Sequence, residues 1–303
     1  MKKIVKTVLF VLLALMLVAC SGGGSNGGNG GGGKKTMAND DVMALHLASA
    51  PSEFVSVERY SEVADDGSII EKDLVFNLND EESVTIGFMP GQHLADLTNV
   101  DNLEQYEVNG FTVYRYNSGN DVMGFIQHGD DLYVVDMTMS EADDGSKLKE
   151  LMNGVSFTDA TTTVLDEPVI DELNYKLDDD HKVIATSVRL TEDPEGNLLE
   201  KYVLWHYGTD EKEDFSLSIR VNKNKNIEEY LKEDSTYEDV EINGITYKAL
   251  ISSSEDPSYL YYTQHNDDAY TVRNNGDTSG WFASRSAESY ACFDKFINSI
   301  SFK

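Results

Sequence analysis

What the sequence is short of excludes several classes of protein. Only two of its 303 residues are cysteines, Cys20 and Cys292, so no framework of disulfides can hold the fold together. Positive charge is also scarce, because 24 lysines and arginines stand against 54 aspartates and glutamates, for a formal net charge of −30. Such a charge argues against nucleic acid as a partner, since the phosphate backbone would be repelled. It favours a solvated acidic surface, divalent cations or basic partners.

The motifs of common enzyme classes are missing as well. The sequence contains no GxSxG, HExxH, P-loop, CxxC or dinucleotide-binding fingerprint. Ser146 and Lys149 match the short Ser-x-x-Lys pattern, but Ser-Asp-Asn and Lys-Thr-Gly do not accompany them. The three aspartates at 178–180 lack the glycine and the distal glutamate of a calcium loop. We therefore predict a protein that is not an enzyme and that needs no cofactor.

The first twenty residues have the layout of a secretion signal. Lys2, Lys3 and Lys6 precede an apolar run over residues 7–18, which is shorter than the ~20 residues that span a bilayer as a helix. The run ends in Leu-Val-Ala-Cys, which resembles the lipobox of bacterial lipoproteins. That resemblance implies cleavage after residue 19 and attachment of a diacylglyceryl group to Cys20. The alternative is an uncleaved signal anchor in which the cysteine is incidental.

A glycine-rich segment follows the cysteine. Residues 21–33 read SGGGSNGGNGGGG, a composition that cannot pack a core and that predicts a flexible tether over residues 20–40. Two acyl chains on Cys20 would hold the mature protein at a membrane without spanning it. We therefore predict a lipid-anchored, extracytoplasmic protein. A tether of this kind favours a Gram-positive surface, with the Gram-negative outer membrane as the alternative.

The remainder of the chain contains a divergent internal repeat. Glu-Val-Asn-Gly-Phe-Thr at 107–112 recurs as Glu-Ile-Asn-Gly-Ile-Thr at 241–246. Gln-His-Gly-Asp-Asp-Leu-Tyr at 127–133 recurs as Gln-His-Asn-Asp-Asp-Ala-Tyr at 264–270, and the endings at 152–157 and 297–302 also match. Matches in the same order along the chain predict two related domains, at residues 41–160 and 171–303.

Each copy alternates apolar and polar residues in several short runs, which predicts an antiparallel sheet. Helices are predicted over residues 94–106, over their second-copy equivalent 226–231, over 146–152, and along an apolar stripe at 290–300. We therefore expect an α+β fold with one or two helices covering each sheet. The Asn-Gly turn, the aromatic residue after an Asp-containing turn and the final helix before Ser-Phe are distantly similar to the Mog1/PsbP-like family. That resemblance implies a fold and no particular activity.

Two groups of residues are candidates for ligand binding. An imidazole and two carboxylates in each repeated motif could surround a divalent ion, and these are His128, Asp130 and Asp131, and His265, Asp267 and Asp268. The alternative is a pair of hairpin turns, in which aspartates accept backbone hydrogen bonds. Tyr259 and Tyr261 could form an aromatic platform for a glycan or a peptide, and core packing is the alternative.

These features together favour a membrane-anchored binding or interaction module. Its partner would be a protein or a glycan of the cell envelope. The alternative from the sequence is an accessory or sensory protein in cell-envelope assembly. Cys292 lies four residues before Phe296, a spacing that predicts a buried packing residue on one face of a helix.

Overall fold

The computed structural model describes residues 42, 44–47, 51, 53–96, 103–118, 120–141, 145–157, 165–209, 212–251, 258–276 and 285–303. The signal segment 1–19, Cys20 and the tether 20–40 lie outside these residues. Within the described ranges, no helix has both the length and the apolar character needed to cross a membrane.

The chain forms two compact units. The first comprises Met1–Arg59, Glu71–Val164 and Asp193–Gly196, and the second comprises Tyr60–Ile70, Leu165–Glu192 and Asn197–Lys303.

The elements up to residue 157 are mainly strands. They are β1 (Leu45–Leu47), β2 (Ser56–Ala64), β3 (Ile69–Asn77), β4 (Ser83–Met89), β5 (Glu104–Val108), β6 (Phe111–Ser118), β7 (Asp121–His128), β8 (Asp131–Thr138), helix α1 (Ser146–Met152) and β9 (Val155–Phe157). A short 3₁₀ helix lies at Leu94–Asp96. The sheet of the first unit runs in the order β3-β4-β8-β7-β6-β5, with every neighbouring pair antiparallel, and β1 pairs separately with β9.

The second unit repeats this order of neighbouring strands. Its elements are β10 (Leu173–Asn174), β11 (Val183–Glu192), β12 (Leu198–Thr209), β13 (Lys212–Asn222), a 3₁₀ helix at Ile227–Glu229, β14 (Thr236–Ile242), β15 (Ile245–Ile251), β16 (Leu260–His265), β17 (Asp268–Gly276), helix α2 (Ala287–Ile297) and β18 (Ser301–Phe302). The sheet runs in the order β11-β12-β13-β17-β16-β15-β14, and β10 pairs with β18.

The predicted α+β class is wrong, because the protein is mostly β. Strands make up 56% of the described residues and helices 10%. Among the described residues of the predicted helix over 94–106, Leu94–Asp96 form a 3₁₀ turn and those from Glu104 onward belong to β5 instead. Its second-copy equivalent is likewise a 3₁₀ turn, Ile227–Glu229. Residues 104–108 pair along β6 through their backbone groups, and this pairing overrides the weak helical spacing of their side chains.

One short α-helix in each unit packs on the inner face of the sheet. In the second unit, every second residue of β12 contributes to this face, and Val203, Trp205 and Tyr207 are buried there. Helix α2 begins after Ser286, whose side chain accepts a hydrogen bond from the Ser289 amide, and this cap fixes where the helix starts. The helix then buries apolar side chains in the same core, namely Cys292, Phe293, Phe296 and Ile297.

Candidate functional site

In the first unit, the repeated Gln-His-x-Asp-Asp motif forms the hairpin between β7 and β8. Its side chains contact the neighbouring segments of the chain. The Gln127 Oε1 atom accepts a hydrogen bond of 2.9 Å from the Leu94 amide. Asp131 Oδ1 accepts one of 2.9 Å from the Gly91 amide. The His128 ring stacks on Phe157 of β9, with 4.1 Å between the ring centroids and 9° between the planes.

The second unit makes the matching contacts. Gln264 Oε1 accepts from the Ile227 amide at 2.9 Å, and Asp268 Oδ1 accepts from the Asn224 amide at 3.0 Å. The His265 ring stacks on Phe302 at 3.8 Å and 10°. Turn chemistry and the stack on the closing strand therefore account for the residue types of the motif in both copies. Asp130 and Asp267 are exposed in these turns.

The two candidate tyrosines have different surroundings. The Tyr261 ring faces the core, where it lies 5.7 Å from Phe293 and 5.9 Å from Tyr247. The Tyr259 ring is covered by the guanidinium of Arg285, whose Cζ atom is 3.5 Å from the ring centroid. Tyr261 is therefore a packing residue, and Tyr259 forms a cation–π pair.

A row of polar side chains crosses the outer face of the second sheet, opposite α2. Strand register places its seven members directly opposite one another on successive strands. This arginine–tyrosine row consists of Arg189, Tyr202, Arg220, Thr271, Tyr262, Lys248 and Asp239. Because neighbouring strands are ~4.8 Å apart, the row is about 29 Å long. Arg273 is exposed on the same face, two residues along β17 from Thr271.

Cations and an aromatic ring are in contact at the β11 end of this row. The Cζ atoms of Arg189 and Arg220 lie 5.5 and 5.1 Å from the Tyr202 ring centroid. Glu200 accepts a hydrogen bond of 2.9 Å from Arg189 and lies 3.7 Å from the Arg220 Nε atom. One carboxylate therefore contacts two guanidinium groups at this end of the row.

Further along the row, the hydroxyl of Tyr262 is held in its neutral form. Burial raises the pKa of Tyr262, and the positive charges of Arg273 and Arg220 only partly oppose this effect. The Tyr237 ring lies edge-on to the Tyr262 ring at 6.0 Å. At neutral pH the Tyr262 hydroxyl is therefore a neutral hydrogen-bonding group near the guanidinium groups of Arg220 and Arg273.

Two polar atoms on the same face are buried without a hydrogen-bond partner in the described part of the chain. They are the Ser216 hydroxyl and the Asn222 Nδ2 atom, and both residues are on β13, the strand that carries Arg220. A buried polar group without a partner costs about 1–3 kcal/mol. Groups of this kind are rare in native structures, so each one is a reason to ask what could bind there.

Cys292 does not have the properties of a nucleophile. Its side chain is fully buried, and burial, helped by the nearby negative charge of Asp178, raises the pKa of the thiol to about 12. The thiol is therefore protonated at neutral pH and unreactive. The structure also places it beside Asp178 and His181, a grouping that the sequence analysis did not anticipate.

Comparisons with known proteins give only weak structural likenesses. No protein-family model matches it, and no curated protein matches it. Among solved structures, the apo form of the type VI secretion immunity protein TplEi from Pseudomonas aeruginosa is 8% identical, with 86% of this chain and 95% of that chain covered and a TM-score of 0.25. The Tle4–Tli4 complex gives 8% identity, the same coverage and a TM-score of 0.24. Likenesses this weak support no argument about fold or function.

Proposed function

We propose that this protein is a lipid-anchored, extracytoplasmic and non-enzymatic binding module whose arginine–tyrosine row binds a linear anionic glycan. The observation that carries the proposal is the register of the row, which brings cations and tyrosines onto one line across seven strands. The first twenty residues and the glycine-rich tether support the anchored location.

The chemistry of the row suits acidic sugars. Guanidinium groups bind carboxylates and sulfates through paired hydrogen bonds, and the partly exposed Tyr202 offers an apolar ring with a polar tip to a sugar. Thr271, which lies between Arg220 and Tyr262, adds a hydroxyl that can donate or accept. A line of about 29 Å favours an extended polymer over a compact ligand.

The acidic character of the whole chain does not prevent this binding. At physiological ionic strength the Debye length is about 8 Å, so acidic groups at the far end of the unit are screened from a ligand on the row. The charges that count are those within the row and next to it, where Arg220 and Arg273 are accessible. The binding energy is therefore expected to come from short-range contacts.

The experiment measures the affinity of the full chain for polygalacturonate by calorimetry. Arg220→Ala combined with Arg273→Ala is expected to weaken binding at least tenfold, because two guanidinium–carboxylate contacts are lost. Tyr202→Ala should weaken it severalfold. Arg115→Ala is the matched control, because Arg115 forms its ion pair with Glu104 in the first unit and should leave the affinity unchanged.

Two further ligands separate charge from sugar recognition. Methyl-esterified polygalacturonate keeps the sugar backbone and loses the carboxylates, so it should bind much more weakly. Poly-glutamate keeps the charge and lacks the sugar. Equal binding of poly-glutamate, or an equal loss of affinity in Arg115→Ala, would overturn the proposal.

A further inference from the structure

A cluster of metal-ligating side chains lies in the second unit, on the inner side of the sheet and away from the arginine–tyrosine row. Asp178 and His181 belong to the segment between β10 and β11, and Cys292 is in the middle of α2. One ligand atom from each of the three residues lies within 4.8 Å of the other two. Cys292 is more than a hundred residues from Asp178 and His181 along the chain, so only the fold brings its thiol to them.

A second carboxylate lies beside the cluster and contacts the other ring nitrogen of His181. Glu288 precedes Cys292 by one helical turn, so both side chains leave α2 on the same face. Its Oε1 atom is 2.9 Å from His181 Nε2, while His181 Nδ1 is 2.7 Å from Asp178 Oδ2. The imidazole therefore lies between two carboxylates, and the thiol is next to them.

The distances fit a small cation of tetrahedral preference. Zinc binds sulfur at ~2.3 Å and nitrogen or oxygen at ~2.0–2.2 Å, so its ligand atoms are roughly 3.3–3.7 Å apart. Separations of up to 4.8 Å would have to close by about 1 Å, which side-chain rotation can provide. A set of one thiol, one imidazole and one carboxylate favours zinc over calcium or magnesium, which prefer oxygen ligands alone.

The surroundings of the thiol also suit a metal-bound sulfur. The Tyr207 hydroxyl is buried beside the Cys292 thiol and the Asp178 backbone. A hydroxyl in that position can donate a hydrogen bond to a thiolate once a metal has displaced the thiol proton. Lys295 contacts Asp178 at 3.1 Å and also Asp180 at 2.6 Å, so it keeps a carboxylate partner if Asp178 turns to a metal.

We infer that Asp178, His181 and Cys292 form a binding site for zinc or a similar transition-metal ion, with Glu288 holding the second ring nitrogen of His181 and so orienting the imidazole. On binding, the sulfur–metal bond replaces the S–H bond of Cys292, and the released proton passes to the solvent. The site ties the segment before β11 to helix α2, so the bound ion would stabilise the second unit.

The experiment uses the full chain with Cys20→Ser, so that Cys292 is the only thiol. Cobalt(II) is titrated in, and the near-ultraviolet absorption band of a cobalt thiolate is followed. We expect one equivalent to bind, a band that zinc removes by competition, and a higher melting temperature with zinc. Cys292→Ser should abolish the band, and His181→Gln and Glu288→Gln should each weaken binding ten- to a hundredfold.

His265→Gln is the matched control, because His265 belongs to the repeated turn motif and not to this cluster. It should leave the cobalt band and the affinity unchanged. Glu288 is exposed, so Glu288→Gln remains informative even if Cys292→Ser fails to fold. The inference is overturned if no thiolate band forms, if the band persists in Cys292→Ser, or if only His265→Gln weakens binding.

Discussion

At the scale of single residues, the first unit buries carboxyl groups that the sequence did not mark out. Asp136 in β8 is 4% exposed, and its Oδ1 atom has no hydrogen-bond partner in the described ranges. Burial, with a smaller contribution from the negative charge of Asp121, raises the pKa of Asp136 to about 7. Burial likewise raises the pKa of Asp73 in β3 to about 7. The folded state therefore favours the protonated form of these groups.

The first unit should accordingly lose stability as the pH rises. An unfolded aspartate releases its proton near pH 3.9, whereas folded Asp136 keeps it to about pH 7, so the contribution is complete below pH 4 and is lost on the way to pH 7. In urea denaturation, the unfolding free energy of the wild-type protein should decrease between pH 5 and 7. In Asp136→Asn this decrease should be smaller by roughly 2–3 kcal/mol. Asp130→Asn, at an exposed turn position, should keep the wild-type slope. Parallel profiles for all three proteins would contradict the assignment to Asp136.

At the scale of elements, the Asn-Gly turns connect each sheet to the end of its helix. Asn109 and Asn243 have positive φ angles of 48° and 52°, as the first position of a type I′ turn requires. The Asn109 side chain also donates a hydrogen bond of 2.8 Å to the Asn153 carbonyl at the end of α1. Asn243 donates in the same way to the Asn298 carbonyl at the end of α2. Asparagine is therefore suited to these turns by its conformation and by its amide group.

Two substitutions at Asn243 separate these contributions. Asn243→Gly keeps the positive φ and loses the hydrogen bond, so we expect a loss of about 1 kcal/mol. Asn243→Ala loses both, and should cost about 1 kcal/mol more because alanine is strained at this φ. Chemical denaturation of the two variants gives the difference directly. Equal losses would mean that the backbone conformation contributes nothing, and the same pair of changes at Asn109 provides a repeat in the first unit.

At the scale of the whole molecule, the anchor is a prediction that rests on the sequence, because Cys20 lies outside the described residues. Lipidation would place two acyl chains in a membrane and leave both units in the aqueous phase. The acidic composition, with a net charge of −30, would keep these units soluble and away from anionic lipid.

Cys20→Ser should release the protein from the membrane. We expect the wild-type protein to incorporate labelled fatty acid and to partition into detergent, and the variant to do neither. Cys292→Ser is the matched control, because it removes the other cysteine and should leave the protein in the membrane fraction. Retention of Cys20→Ser at the membrane would favour the uncleaved signal anchor instead.

Local patterns predicted some elements of the fold well and others poorly. The short runs of each copy predicted strands, and β3 and β8 are two of them, although successive residues in both are buried and do not alternate. The helix over 94–106 was wrong, because pairing of residues 104–108 with β6 decides their conformation. The arginine–tyrosine row was missed, since it depends on which strands are neighbours and in which register.

The sequence by itself determined the composition, the acidic charge, the lipobox-like start, the repeated motifs and the turns at Asn109 and Asn243. All of these depend on residues that are close along the chain. Only the tertiary structure decided which distant side chains meet: His128 and His265 stack on closing-strand phenylalanines, and Asp178 and His181 lie beside Cys292. The reason is physical, because backbone pairing and core packing act between segments that no local pattern connects.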